Sequence, residues 1–283
     1  MARKFVSVLL LALLLFTVSP AAAQKPTIRI VSTPYACALT TSNVAAAVIE
    51  RMGYESEVVM VSVATMWKAL EIGEGDLSVA AWLPATHGTY YEQVKDSVVN
   101  LGVNTAGARL GWVVPEYVTI DSIEELNAHK EDFENQIIGI APSAGLMLLS
   151  EKAIEAYDVD LVLKESSGAA MTAVLGDSIR QNKWVVVTGW SPHWKFGRWD
   201  LKYLEDPKGV LGGPEDIVTI TRKGFAGDYP EVNEVMDRLQ WDIDVMQNLM
   251  ALNEQEDADP RKNAEQFLDE HPELLNAWMG KTK

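Results

Sequence analysis

Nine tryptophans stand in this chain of 283 residues, and their placement bears on chemistry more than their number does. Trp82 follows the run Leu77 to Ala81, which reads as a strand, and is itself followed by Leu83-Pro84. Trp190 follows a second such run, Trp184 to Thr188, and precedes Ser191-Pro192. Ligands of open α/β sheets bind beyond the carboxyl ends of strands, so two large rings at two strand ends are candidate binding surfaces. Trp241 lies in a third place, on the helical stretch predicted after Pro230. A tryptophan's ordinary task is to fill a core, but a core role gives no reason to favour strand ends. An indole face attracts diffuse positive charge. A quaternary ammonium group has no N–H to donate and is best met by such faces, each worth roughly 0.5–2 kcal/mol.

A zwitterion would also need its carboxylate held. The segment Ala36-Cys37-Ala38-Leu39 runs into a helix start predicted at Thr40-Thr41-Ser42-Asn43. Unpaired backbone N–H groups and the helix dipole make an anion site there without any arginine, and the small Ala36 and Ala38 permit close approach. Readings as an enzyme find less support. His87, His129, His193 and His271 show no H-E-x-x-H spacing, and neither a G-x-S-x-G elbow nor a Walker A loop is present. Gly212-Gly213-Pro214 reads as a turn, while Glu124-Glu125 and Glu205-Asp206 read as solvated faces. No catalytic residue, metal ligand or cofactor is expected.

The elements that must position these residues alternate. Strands are predicted over 27–31, 57–63 and 77–81, and helices over 44–52, ended by Gly53, and over 64–72. A second set of elements begins near Arg109 to Pro115. Strands at 137–140 and 184–188 and helices at 146–157 and 169–179 follow. A strand at 217–220 then leads into mostly helical sequence. This alternation predicts an α/β fold with a mainly parallel sheet in two lobes joined by strand crossings. The lobes are expected at 24–110 with 218–283, and at 111–217. Residues 1–23 read as a cleaved export signal: Arg3 and Lys4, an apolar run from Phe5 to Val18, then Ala21-Ala22-Ala23. The formal charge of −16 argues against nucleic acid or an anionic membrane as partner. The single cysteine, Cys37, excludes an internal disulfide.

Several segments together resemble the glycine-betaine/proline-betaine substrate-binding components of ABC importers. They are Gly53-Tyr54, Ala80-Ala81-Trp82-Leu83-Pro84-Ala85-Thr86-His87, Ser166-Ser167-Gly168-Ala169-Ala170-Met171, Thr188-Gly189-Trp190-Ser191-Pro192-His193-Trp194, Asp200 to Pro207 and Asp259-Pro260-Arg261-Lys262. The resemblance implies a two-lobed periplasmic-binding-protein fold, type II-like, with its ligand in the cleft between the lobes. It implies a prism of Trp82, Trp190 and Trp241 around a trimethylammonium group, and backbone amides near Ala38 and Leu39 on the carboxylate. It also implies a monomer in the periplasm that delivers a betaine to a membrane permease. Tyr35-Ala36-Cys37 and Ser143 depart from the family pattern. Choline, carnitine, ectoine or dimethylsulfoniopropionate are alternative ligands, and an exported sugar-active enzyme is the alternative from another class.

Overall fold

The structure is a computed structural model and describes residues 26–281. The expected export signal lies outside the described residues, apart from which the whole sequence-predicted frame can be compared. Nine strands form the sheet: β1 (Ile28–Ser32), β2 (Ser56–Met60), β3 (Leu77–Leu83), β4 (Val98–Pro115), β5 (Gln136–Ile138), β6 (Val162–Lys164), β7 (Val187–Ser191), β8 (Leu201–Tyr203) and β9 (Glu215–Arg222). The helices are α1 (Ala36–Arg51), α2 (Val63–Ile72), α3 (Gly88–Val94), α4 (Gly145–Tyr157), α5 (Gly168–Arg180), α6 (Lys195–Arg198), α7 (Phe225–Asp228), α8 (Pro230–Arg238), α9 (Ile243–Asn253), α10 (Pro260–Glu270) and α11 (Pro272–Trp278). A 3-10 turn, Ile123–His129, is started by a capping box of Ser122 and Glu125.

The strand order is β2-β1-β3-β9-β4-β7-β5-β6, with β8 also on β4. The expectation of a mainly parallel sheet is corrected here. Pairs β1–β2, β1–β3, β5–β6 and β5–β7 are parallel, but β9 runs antiparallel to both β3 and β4, and β4 antiparallel to β7 and β8. The reason is β4. Its first part pairs with β9 from Val98↔Arg222 to Ala108↔Glu215, and its last part pairs with β7 from Arg109↔Ser191 to Val113↔Val187. One long strand therefore serves two half-sheets, the cores of two lobes, and β9 returns alongside it.

Each side of the first half-sheet is covered. Ile28, Ile30, Leu77 and Val79 pack with Val44, Val48 and Ile49 of α1, whereas Val31 and Ala81 pack with Met66, Trp67 and Leu70 of α2. A strand's side chains alternate between faces, and a one-residue slip exchanges them. β3 contains such a slip, between Ser78 and Ala81. Past it, Trp82 returns to the face of Leu77 and Val79, so the irregularity aims the indole towards α1.

Candidate functional site

Trp82 and Trp190 are each the penultimate residue of a strand, one in each lobe. Each is 7% exposed or less. The turn after Trp82 is closed twice by His87: the Trp82 N–H donates to His87 Nδ1 at 3.1 Å, and the His87 N–H donates to the Trp82 carbonyl at 2.9 Å. The turn after Trp190 is tied by Lys195, whose Nζ donates to the Trp190 carbonyl at 3.3 Å and lies 4.3 Å from the indole centroid. Both X-Pro bonds in these turns, Leu83-Pro84 and Ser191-Pro192, are cis.

The two rings line one cavity between the lobes. Thr33, Tyr35, Cys37, Ala38 and Val63 complete its wall on the first lobe with Ala80, Thr86 and His87. Leu110 of β4 joins Ile140, Ala144, Gly145 and Leu146 on the second. None of these lining residues carries a formal charge. Tyr35 meets Trp190 edge to face, with centroids 5.6 Å apart at 72°, so three aromatic rings converge there.

Helix starts supply the polar end of the cavity. α1 begins at Ala36, eight residues before the expected first helical residue Val44, and its N-cap is Tyr35 without a side-chain cap bond. The expected caps sit inside the helix instead. The Thr41 hydroxyl donates to the Ala38 carbonyl, the Asn43 amide to the Leu39 carbonyl and the Ser42 hydroxyl to Ser32 Oγ. Buried polar groups take such local partners when water cannot reach them. The shift changes which N–H groups are free. Leu39 N–H makes the first intrahelical bond, to the Tyr35 carbonyl at 2.8 Å, so the unpaired donors of the first turn are those of Ala36, Cys37 and Ala38. Of the two residues expected at the carboxylate, Ala38 lines the cavity and Leu39 does not. A second helix start, Gly145-Leu146 of α4, reaches the same cavity from the other lobe. The sequence placed a helix at 146–157, but gave no sign that its start faces α1.

Burial shifts the titratable groups around the cavity away from their charged forms. Burial pushes the His87 pKa down to about 3 and the Cys37 thiol up to about 11, with the Trp190 indole N–H partly offsetting the latter. Burial likewise takes Lys195 well below its ordinary value, and burial with the nearby Lys195 does the same to His193. In neutral His87, Nδ1 is the acceptor for Trp82, so the ring hydrogen is on Nε2.

Trp241 is not brought to this cavity, and it stands between helices rather than on one, just before Asp242, the N-cap of α9. Its indole N–H donates to Thr105 Oγ1 at 2.7 Å, and its ring meets Trp278 edge-on at 5.7 Å. It lines a separate space of about 220 Å³ with Thr40, Thr41 and Val44, a different part of α1 from the one that bears Cys37 and Ala38. Among the described residues, no group of three or more His, Cys, Asp and Glu could hold a metal ion. Nor is any helix there long and apolar enough to cross a membrane.

The model of the OpuAC family, the substrate-binding domain of the ABC-type glycine betaine transport system, matches residues 26–270. The chain belongs to this family. A segment of 151 residues is 38% identical to the glycine betaine/carnitine transport binding protein GbuC of Listeria monocytogenes. It covers 52% of this chain and spans half the length of that relative. The structure of lactococcal OpuAC in its closed, liganded conformation with glycine betaine matches with a TM-score of 0.85 and 37% identity, over 89% of this chain and 99% of that one. A glycine/betaine/L-proline-binding protein, ProX, from Borrelia burgdorferi matches with a TM-score of 0.87 and 35% identity, over 89% and 96%. The fold is thus that of the two-lobed substrate-binding proteins.

Proposed function

We propose that this member of the family captures a betaine-type zwitterion between its lobes and delivers it to the membrane permease of an ABC importer. The observation that carries the reading is the composition of one cavity. Aromatic faces from both lobes and two helix N-termini meet in a space whose walls bear no formal charge. The faces of Trp82 and Trp190, with Tyr35 beside them, suit a trimethylammonium group. The N–H groups of Cys37 and Ala38, which line the cavity, suit the carboxylate. His87 adds a donor, because its Nε2–H has no hydrogen-bond partner among the described residues and its ring lines the cavity. Donors without a lining acid favour a ligand that carries its own anion over choline. Tyr35 takes the place in this site that the sequence reading gave to Trp241, and Cys37 the place given to Leu39.

Export through the signal at 1–23, a periplasmic location, a monomeric state and a lobe division at 110/111 and 217/218 complete the proposal. The exchange of β4 from β9 to β7 between Ala108 and Arg109 lies close to the first of these boundaries, while β9 pairs within the first half-sheet from Glu215 onward, just ahead of the second. The test is calorimetric titration of the signal-free protein with glycine betaine, with choline and carnitine alongside. Micromolar affinity corresponds to about 8 kcal/mol, and glycine betaine is expected to reach it with choline weaker. Heat from choline alone would overturn the carboxylate assignment, and heat from none of the three would overturn the function.

A further inference from the structure

One contact across the cleft has no slack. Gly145, the first residue of α4, lies against Thr86 in the turn that follows β3. A β-carbon built on Gly145 would fall 2.6 Å from the Thr86 carbonyl carbon and 2.7 Å from its Cγ2, with the carbonyl oxygen nearer still. The obstacle is main chain, which cannot swing aside as the end of a long side chain can. Gly145 is not among the glycines with positive φ, so its own backbone does not demand glycine. In a first helical turn alanine has the better intrinsic propensity. Only the approach of the other lobe explains the missing side chain.

The Thr86 side is held as firmly. Glu215, at the start of β9 and 2% exposed, accepts the Ala85 N–H at 2.5 Å and the Thr86 N–H at 2.7 Å, and it also accepts the Thr86 hydroxyl. Charge-assisted bonds of this kind are about twice as strong as neutral ones. Beside the contact, the Tyr90 hydroxyl donates across the cleft to the Ser143 carbonyl at 3.0 Å. Thr86 and Gly145 both line the cavity, so the contact forms part of its wall.

We infer that main chain of Thr86 against Gly145 is the stop on which the lobes close over the ligand, and that Glu215 is the positioning residue that sets the stop. The inference rests on reading the cavity as a closing ligand site. A methyl group at 145 holds the lobes apart, and Trp82 and Trp190 then cannot face the same ligand.

The experiment is small-angle scattering with calorimetry on the signal-free wild type, Gly145→Ala and Glu215→Gln, each alone and with saturating glycine betaine. Wild type is expected to compact to the dimensions of the closed structure. Gly145→Ala is expected to keep its circular dichroism, stay expanded and bind at least 30-fold more weakly, and Glu215→Gln to bind about tenfold more weakly. Gly145→Ala as compact and as tight as wild type overturns the inference. If wild type binds no betaine, the functional reading falls by itself, and scattering still decides the stop. A compact wild type beside an expanded Gly145→Ala supports it, and equal dimensions, or a wild type that is open in every condition, overturn it. Should Gly145→Ala lose its dichroism, Glu215→Gln carries the test by the same two readouts, with unchanged affinity and compaction counting against the stop.

Discussion

At the scale of single residues, the three named tryptophans separate into two kinds. Trp82 and Trp190 face the cavity, and truncating Trp190 to alanine removes a π face and opens space behind the ligand. About 2 kcal/mol of binding should go with it, a loss of roughly 30-fold, while Trp190→Phe should retain part of the affinity. Titration with glycine betaine reads both, and equal affinities for wild type and Trp190→Ala would remove the ring from the site. Trp241 predicts the reverse. Its N–H satisfies Thr105 deep in the first lobe, so Trp241→Phe should cost about 1 kcal/mol of stability and change betaine affinity less than twofold. Denaturant unfolding and the same titration check the two halves of that statement. The sequence could not tell these tryptophans apart by type. What told them apart was position: strand ends were legible from the runs before Trp82 and Trp190, whereas nothing local to Trp241 showed that it faces another part of α1.

At the scale of elements, the sequence was read well where one period held and badly where it broke. Ser62 and Ser167 cap their helices close to where the sequence placed those starts. α1 began early because Thr40, Thr41, Ser42 and Asn43 are cap-forming residues that here find partners inside the helix and on Ser32. That error moved the expected donors along the chain, from Leu39 back to Cys37. The first half of β4 was missed for a different reason. Its ladder shifts register at Asn100/Gly102, Val103/Thr105 and Thr105/Ala108, so alternation never lasts long enough to read as a strand. Gly102 and Gly107 hold φ of 117° and 73°, with open space where a β-carbon would go. Gly107→Ala therefore meets no clash, only the backbone cost of a left-handed L-residue. It should lower stability by about 1–2 kcal/mol without touching the cavity, a difference that urea unfolding would show.

At the scale of the whole molecule, a cavity without charged walls fixes how the protein responds to pH. His87 is buried with its pKa near 3, and His193 is held well below its ordinary value by burial and by Lys195. In the unfolded chain both rings titrate near 6.5. Below that pH the unfolded chain binds protons that the folded chain refuses, so stability falls as pH falls, by about 1.4 kcal/mol per unit for each ring. Above pH 6.5 this contribution is fully present. From pH 7 to pH 5 His87 alone should remove roughly 2 kcal/mol of unfolding free energy, and His193 acts in the same direction. Binding should behave differently. His87 stays neutral in the folded protein at both values, its Nε2–H still faces the cavity, and glycine betaine affinity should change less than twofold. Urea unfolding and betaine titration at pH 5 and pH 7 separate the two effects. A flat stability profile would mean that water reaches both imidazoles, and a steep loss of affinity above pH 5 would mean that His87 binds as a cation.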